Sequence, residues 1–215
     1  MKKLHLIFLV CFCLHYANGQ DNEMTIGKID SIQSKILNET REIWIHIPDG
    51  DYDGIGKRKK YPVLYLLDGN SHFHSVVGMM RQLSPAKGNM ICPEMIIVGI
   101  PNTNRTRDLT PTKPTVKSPH LSRQMIENSG GGEAFISFIE KELIPYIDSK
   151  YATESYRMFI GHSLGGLTVM NTLIQKPELF NAYVAIDPSM WWDNKNLLDK
   201  IKHTKFDERY KNKKL

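Results

Sequence analysis

Cysteine is scarce: three stand in 215 residues, and Cys11 and Cys13 fall in a short apolar stretch near the N-terminus that reads as removable. Only Cys92 would remain, so an intramolecular disulfide is excluded. Its setting, "MICPEMIIVGI", suits a small core residue better than a reactive thiol. Long hydrophobic runs are also lacking. The longest near the start, "LIFLVCFCL" (6–14), is well short of the roughly 18 residues a membrane-spanning helix needs. It follows Lys2 and Lys3 and precedes the small residues "ANG" (17–19), which is the layout of a signal peptide. Cleavage is expected before Gln20, giving a secreted or periplasmic chain with no membrane association afterwards.

Internal repeats, low-complexity tracts and long linkers are absent as well, so residues 20–215 read as one domain. An excess of positive charge is nearly absent too. Without Lys2 and Lys3, 26 basic residues face 23 acidic ones, and residues 195–215 alone hold eight Lys/Arg against three acids. No aromatic-basic interleaving or binding motif accompanies this tail, so it reads as a solvated face and no nucleic-acid partner is expected. With 41% hydrophobic and 24% charged residues, the composition is that of an ordinary soluble globular protein.

What is present is an alternation of strands and helices. "GKIDSIQSKIL" (27–37) and "REIWIHIP" (41–48) read as strands, the second alternating like a half-buried antiparallel one. After the charged turn at 49–60, "YPVLYLLDG" (61–69), "EMIIVGIP" (94–101), "YRMFIGH" (156–162) and "AYVAID" (182–187) are continuous apolar runs, as strands covered on both faces are. Between them, 72–83, 132–151 and 164–175 have helical spacing. This order predicts an α/β fold with a mostly parallel central sheet and helices on both faces. Residues 101–131 lack periodicity and are rich in Pro, Thr, Asn and Arg. A loop of that length after the carboxyl end of a strand is a candidate ligand-binding segment.

The chemistry centres on "GHSLG" (161–165), which matches G-x-S-x-G between a buried strand and a helix. That turn is so tight that side chains at Gly161 or Gly165 would collide with neighbouring backbone, and it lifts the Ser163 hydroxyl above the sheet edge. The Leu164 N–H then lies at a helix N-terminus, where orphan donors and the helix dipole favour a developing oxyanion. A second donor is expected from "LLDGN" (66–70), assigned to the N–H of Asn70. His72, His74 and Asp68 form a weak metal pattern, and serine chemistry requires neither metal nor cofactor.

Four stretches, "YPVLYLLDGN", "IIVGIPNTNRTRDLTPT", "FIGHSLGGLTVM" and "AIDPSMWWDN", resemble in order and spacing the putative-esterase family of α/β-hydrolases. That family includes enterochelin esterases, feruloyl esterases, S-formylglutathione hydrolase and mycolyltransferases, and the likeness extends over about residues 25–215. It implies an α/β-hydrolase fold, Ser163 as nucleophile, oxyanion donors at Asn70 and Leu164, and Arg105, Arg107 and Trp192 near the substrate cleft.

A serine nucleophile needs an imidazole and an acid, in the order Ser, Asp/Glu, His for this fold. Only His203 follows Ser163, in a segment that reads as a charged helix. Asp187 and Asp193 come one strand too early for the acid, and His162 belongs to the turn itself. The polar "DERYKNKK" before Leu215 resembles the approach to another strand. The expectation is a domain lacking its last strands, with acid and histidine beyond residue 215 and little activity or solubility in the 215-residue chain. Two functions fit: an exported serine esterase acting on a small-molecule ester, of siderophore or aromatic acyl type, or a non-catalytic binder of an anionic ligand such as a catecholate siderophore.

Overall fold

The computed structural model describes residues 24–50, 59–115 and 121–215. The expected signal segment and positions 51–58 of the charged turn lie outside the described residues. In chain order the elements are β1 (Lys28–Ser34), β2 (Glu39–His46), β3 (Tyr61–Leu67), α1 (Gly69–Leu83), β4 (Ile96–Ile100), α2 (Arg105–Asp108), α3 (Arg123–Glu127), α4 (Gly132–Phe138), α5 (Ile144–Lys150), β5 (Thr153–His162), α6 (Leu164–Gln175), β6 (Ala182–Ile186) and α7 (Trp192–His203).

The first two strands form a hairpin, with Asn38 at positive φ closing the turn. The sheet order is β1-β2-β4-β3-β5-β6. β2 runs antiparallel to β4, whereas β3, β4, β5 and β6 are mutually parallel neighbours. An antiparallel hairpin therefore extends the mostly parallel sheet expected from the apolar runs.

Burial follows the two-residue period of the strands. On β3, Val63, Tyr65 and Leu67 join Ile43, Ile45, Val98 and Phe159 in one core, which α4, α5 and α6 cover with Phe135, Phe138, Ile147, Leu167 and Val169. Leu64 and Leu66 face the other way with Ile97 and Ile160, under Phe73 and Val77 of α1. Helices on both faces explain why β3 and β4 are buried along their whole length.

Two elements differ from the sequence expectation. The apolar stripe at 132–151 is not one regular helix. A π-helical stretch, Ile139–Leu143, joins α4 to α5, and it ends just before Pro145, which cannot donate to the carbonyl four residues back. At the start of α7, Asp193, Asn194 and Lys195 have φ of 46°, 52° and 64°, so the chain makes a left-handed turn before the helix proper.

Residues near the C-terminus lie along the outer edge of β6. Lys214 bridges Ala182 in parallel, accepts from Tyr183 N–H at 2.8 Å and donates to Asn181 O at 3.1 Å. The expected strand approach at "DERYKNKKL" thus has a pairing partner in the sheet. Among the described residues, no helix is long and apolar enough to cross a membrane.

Candidate active site at the carboxyl edge of the sheet

Because β3, β4, β5 and β6 are parallel, the segments that follow them gather along one sheet edge. They are residues 68–70, the long loop from Pro101, the turn at Ser163, and residues 187–192.

Ser163 joins β5 to α6 at φ 58° and ψ −115°, a conformation that costs a non-glycine residue roughly 1–3 kcal/mol and persists only where its surroundings enforce it. The enforcement is visible. Ser163 N–H donates to Ile186 O at 3.0 Å, and Ser163 O accepts from Leu167 N–H at 2.9 Å and Ser189 N–H at 3.0 Å. A Cβ on Gly161 would stand 2.4 Å from the Gly165 carbonyl carbon, so the chain can cross itself here only with glycine. Ser163 is half-buried, and its Oγ lies 3.1 Å from the Oγ of Ser189, which is 3% exposed. Among the described residues, Ser189 is the one hydrogen-bond partner of that hydroxyl.

Leu164 opens α6, and Asn70 is the second residue of α1. Both N–H groups therefore sit in first helical turns, where no acceptor exists four residues back within the helix. The two helix N-termini carry partial positive charge at the same sheet edge as Ser163.

Between them lies Asp68, 3% exposed and left-handed at φ 53°. Its carbonyl accepts from Ser71 and His72 N–H at 2.9 and 3.1 Å, which starts α1. Its carboxylate accepts two bonds from Arg105, at 2.7 Å from Nε and 3.0 Å from Nη2, and one from Asn102 Nδ2 at 2.6 Å. Asn102 also donates to Asn70 Oδ1 at 3.3 Å from both its backbone N and Nδ2. Of the three residues set near the cleft by resemblance, only Arg105 is bonded to this cluster.

Arg107 and Trp192 are placed differently. The Arg107 guanidinium is held by Glu39 at 2.6 and 3.0 Å and by Asp108 at 2.7 Å, and that pairing holds the Glu39 carboxyl below its usual range. Asp108 in turn lies 2.6 Å from Arg41, both 1% exposed, so these charges fasten the long loop to β2. Trp192 is 1% exposed, and its indole N–H donates to Thr112 O at 3.0 Å, tying residues after β6 to the same loop. Trp191 is the exposed one of the pair, at 49%. Both side chains thus act as ties of the long loop, Arg107 to β2 and Trp192 to the segment after β6.

No histidine among the described residues hydrogen-bonds Ser163. The His162 ring is exposed and stands edge-on to His72 at 6.1 Å, and His203 caps its own helix through Asp199 O at 2.7 Å. No group of three metal-ligating side chains occurs among the described residues. Ser189 went unnoticed in the sequence. It stands three residues past the end of β6, in "DPSMWW", where no local pattern marks the contact.

Residues 34–214 match the model of the family described as "Putative esterase". Among curated proteins, the chain is 35% identical over 199 residues to the ferri-bacillibactin esterase BesA of Bacillus subtilis (strain 168), covering 86% of this chain and 66% of that protein. It is 30% identical over 160 residues to the siderophore enterobactin esterase of Emericella nidulans, covering 69% of this chain and 52% of that protein. A crystal structure of an IroE-like serine hydrolase from Shewanella oneidensis superposes with a TM-score of 0.75 at 38% identity, covering 82% of this chain and 55% of that one. The chain thus spans about two thirds and about half of the length of these two curated relatives. A family match over most of the chain, joined to a strand-turn-helix at Ser163 on a sheet covered by helices on both faces, makes this chain a member of the putative-esterase family of α/β-hydrolases.

Proposed function

We propose that this protein is an exported esterase that cleaves carboxylic esters through an acyl-enzyme on Ser163. The observation that carries the reading is the strained turn at Ser163, which puts a hydroxyl at the carboxyl edge of the sheet beside two helix N-termini. In the proposed cycle Ser163 Oγ attacks the ester carbonyl carbon and gives its proton to an imidazole base. The N–H groups of Leu164 and Asn70 hold the oxyanion of the tetrahedral intermediate. The alcohol departs with the proton, and water then attacks the acyl carbon and regenerates the hydroxyl. The reading requires an imidazole at that hydroxyl, a role that none of the described histidines takes.

A siderophore-type ester as substrate is supported by the names of two relatives, a ferri-bacillibactin esterase and a siderophore enterobactin esterase. The half-exposed Trp191, in the segment after β6, would offer an aromatic face to a catecholate or aryl acyl group. Export rests on the charged and apolar layout of residues 1–19.

The test is hydrolysis by the purified full-length protein of a panel comprising a tris-catecholate trilactone, iron-free and ferric, a feruloyl ester and p-nitrophenyl acetate. Turnover of the trilactone above the other esters, reduced at least about 10³-fold by Ser163→Ala, is expected. Equal turnover by the variant would refute the nucleophile. Tight binding of the trilactone without any turnover would instead support the second reading, a non-catalytic binder of an anionic ligand.

A further inference from the structure

The carboxylate of Asp68 poses an electrostatic problem for the proposed reaction. It is buried, it stands two residues before the Asn70 N–H, and its Oδ2 lies 3.2 Å from where a Cβ on Gly165 would be, next to Leu164. A bare negative charge there opposes the negative charge that develops on the ester oxygen between those two donors, and water is too scarce to screen it. Arg105 meets that carboxylate with two parallel bonds, Nε to Oδ1 and Nη2 to Oδ2, and its Nη2 also reaches the His162 carbonyl at 3.5 Å, one residue before the nucleophile. Its Nε and Nη2 are thereby taken up by Asp68 and the His162 carbonyl.

We infer that Arg105 is a positioning residue whose function is to neutralise Asp68 and bind the residue 68–70 segment to the Ser163 turn, and that it is not the contact for an anionic substrate. The inference rests on the reading of Ser163 as nucleophile. It assigns a role to Gly165 as well, since the lack of a side chain there gives the Asp68 carboxylate its place over the start of α6. An enzyme built this way depends on Arg105 for neutral esters as much as for anionic ones.

The experiment compares wild type, Arg105→Ala, Arg105→Gln, Asp68→Asn and the double variant Asp68→Asn/Arg105→Ala, with p-nitrophenyl acetate as neutral ester and p-nitrophenyl hemisuccinate as anionic one. Thermal unfolding identifies the folded variants. Arg105→Ala and Arg105→Gln are each expected to lower kcat roughly 10- to 100-fold on both esters, with KM changed less than threefold, as an unscreened charge near the oxyanion would. Asp68→Asn alone should lose less, and added to Arg105→Ala it should recover at least about fivefold in kcat, since it removes the charge that Arg105 offsets. Arg105→Gln carries the test if the alanine variant does not fold. A rise in KM confined to the hemisuccinate, with kcat kept, would overturn the inference and make Arg105 a substrate contact. Failure of Asp68→Asn to recover activity in a folded double variant would overturn it too. The comparison is made in the full-length protein, where a wild type that hydrolyses neither ester refutes the Ser163 reading and this inference with it, a result distinct from either of the others.

Discussion

At the scale of single residues, the site is a set of close approaches around Ser163. Ser189 is the neighbour in direct contact with the proposed nucleophile, its Oγ 3.1 Å away and its N–H on the Ser163 carbonyl. A hydroxyl in that position fixes the Ser163 rotamer and can donate to its oxygen. Removing it should cost about the value of one such hydrogen bond, so Ser189→Ala is expected to slow fluorophosphonate labelling of Ser163 about three- to tenfold with the fold intact. An unchanged rate would show that the contact is packing alone. Ser163 was legible in the sequence because its turn demands glycines at fixed spacing between two apolar runs, and those are local constraints. Ser189 was not, because its partner is 26 positions away and nothing local marks a serine as facing a nucleophile. The same applies to Arg105 and Arg107. Both stand in one short segment, and only the tertiary fold decides that the first meets Asp68 while the second meets Glu39 and Asp108.

At the scale of elements, the long loop after β4 is held firmly. Arg41 projects from the buried face of β2, bonds Asp108 at 2.6 Å and the Pro101 carbonyl at 3.1 Å, and lies over the rings of Phe135 and Phe138 of α4 at 5.4 and 5.8 Å. Taking either charge away leaves the other buried with one ion partner in place of two, Glu39 for Arg41 and Arg107 for Asp108. Asp108→Ala is expected to destabilise the fold by about 1–3 kcal/mol in urea unfolding, since Arg41 keeps Glu39 and the Pro101 carbonyl, whereas the double replacement Arg41→Met/Asp108→Leu should cost less than either single change. A loss below about 1 kcal/mol for Asp108→Ala would mean that the clamp is dispensable. The strands and the larger helices were readable because their periods repeat over many residues: β3 as an unbroken apolar run, α6 as "LGGLTVMNTLIQ". Helices α2 and α3 were not, since four and five residues hold no period. They exist because Asn104 and Ser122 cap them, each accepting a first-turn N–H, at 3.0 and 3.1 Å.

At the scale of the whole molecule, stability depends on pH through groups that burial and pairing have shifted. His46 is 6% exposed, with Nδ1 2.6 Å from Ile26 O; a carbonyl only accepts, so the neutral ring carries its proton on Nδ1. Burial lowers its pKa below the usual 6.5, against a smaller opposing effect of the Ile26 bond. The unfolded chain therefore takes up a proton at this site more readily than the folded one. Stability should fall as pH drops below about 6.5, until the folded ring itself protonates, and His46→Gln should flatten that slope in urea midpoints measured between about pH 7.5 and 5.5. An identical slope in the variant would count against it. Glu39 acts lower down: its carboxyl, held below the usual range by Arg107, contributes stability above that range that is lost as pH falls through its folded value.

All of these effects converge on whether the hydroxyl raised by the turn at residue 163 reacts. The most direct measurement is to treat the folded protein with a fluorophosphonate, digest it and locate the adduct by mass spectrometry. The predicted result is one phosphonyl group per molecule on the peptide containing "GHSLGG", absent from Ser163→Ala and from protein unfolded in urea. A folded full-length protein left unmodified, or one labelled equally well in the variant, would contradict the assignment of Ser163 as the nucleophile.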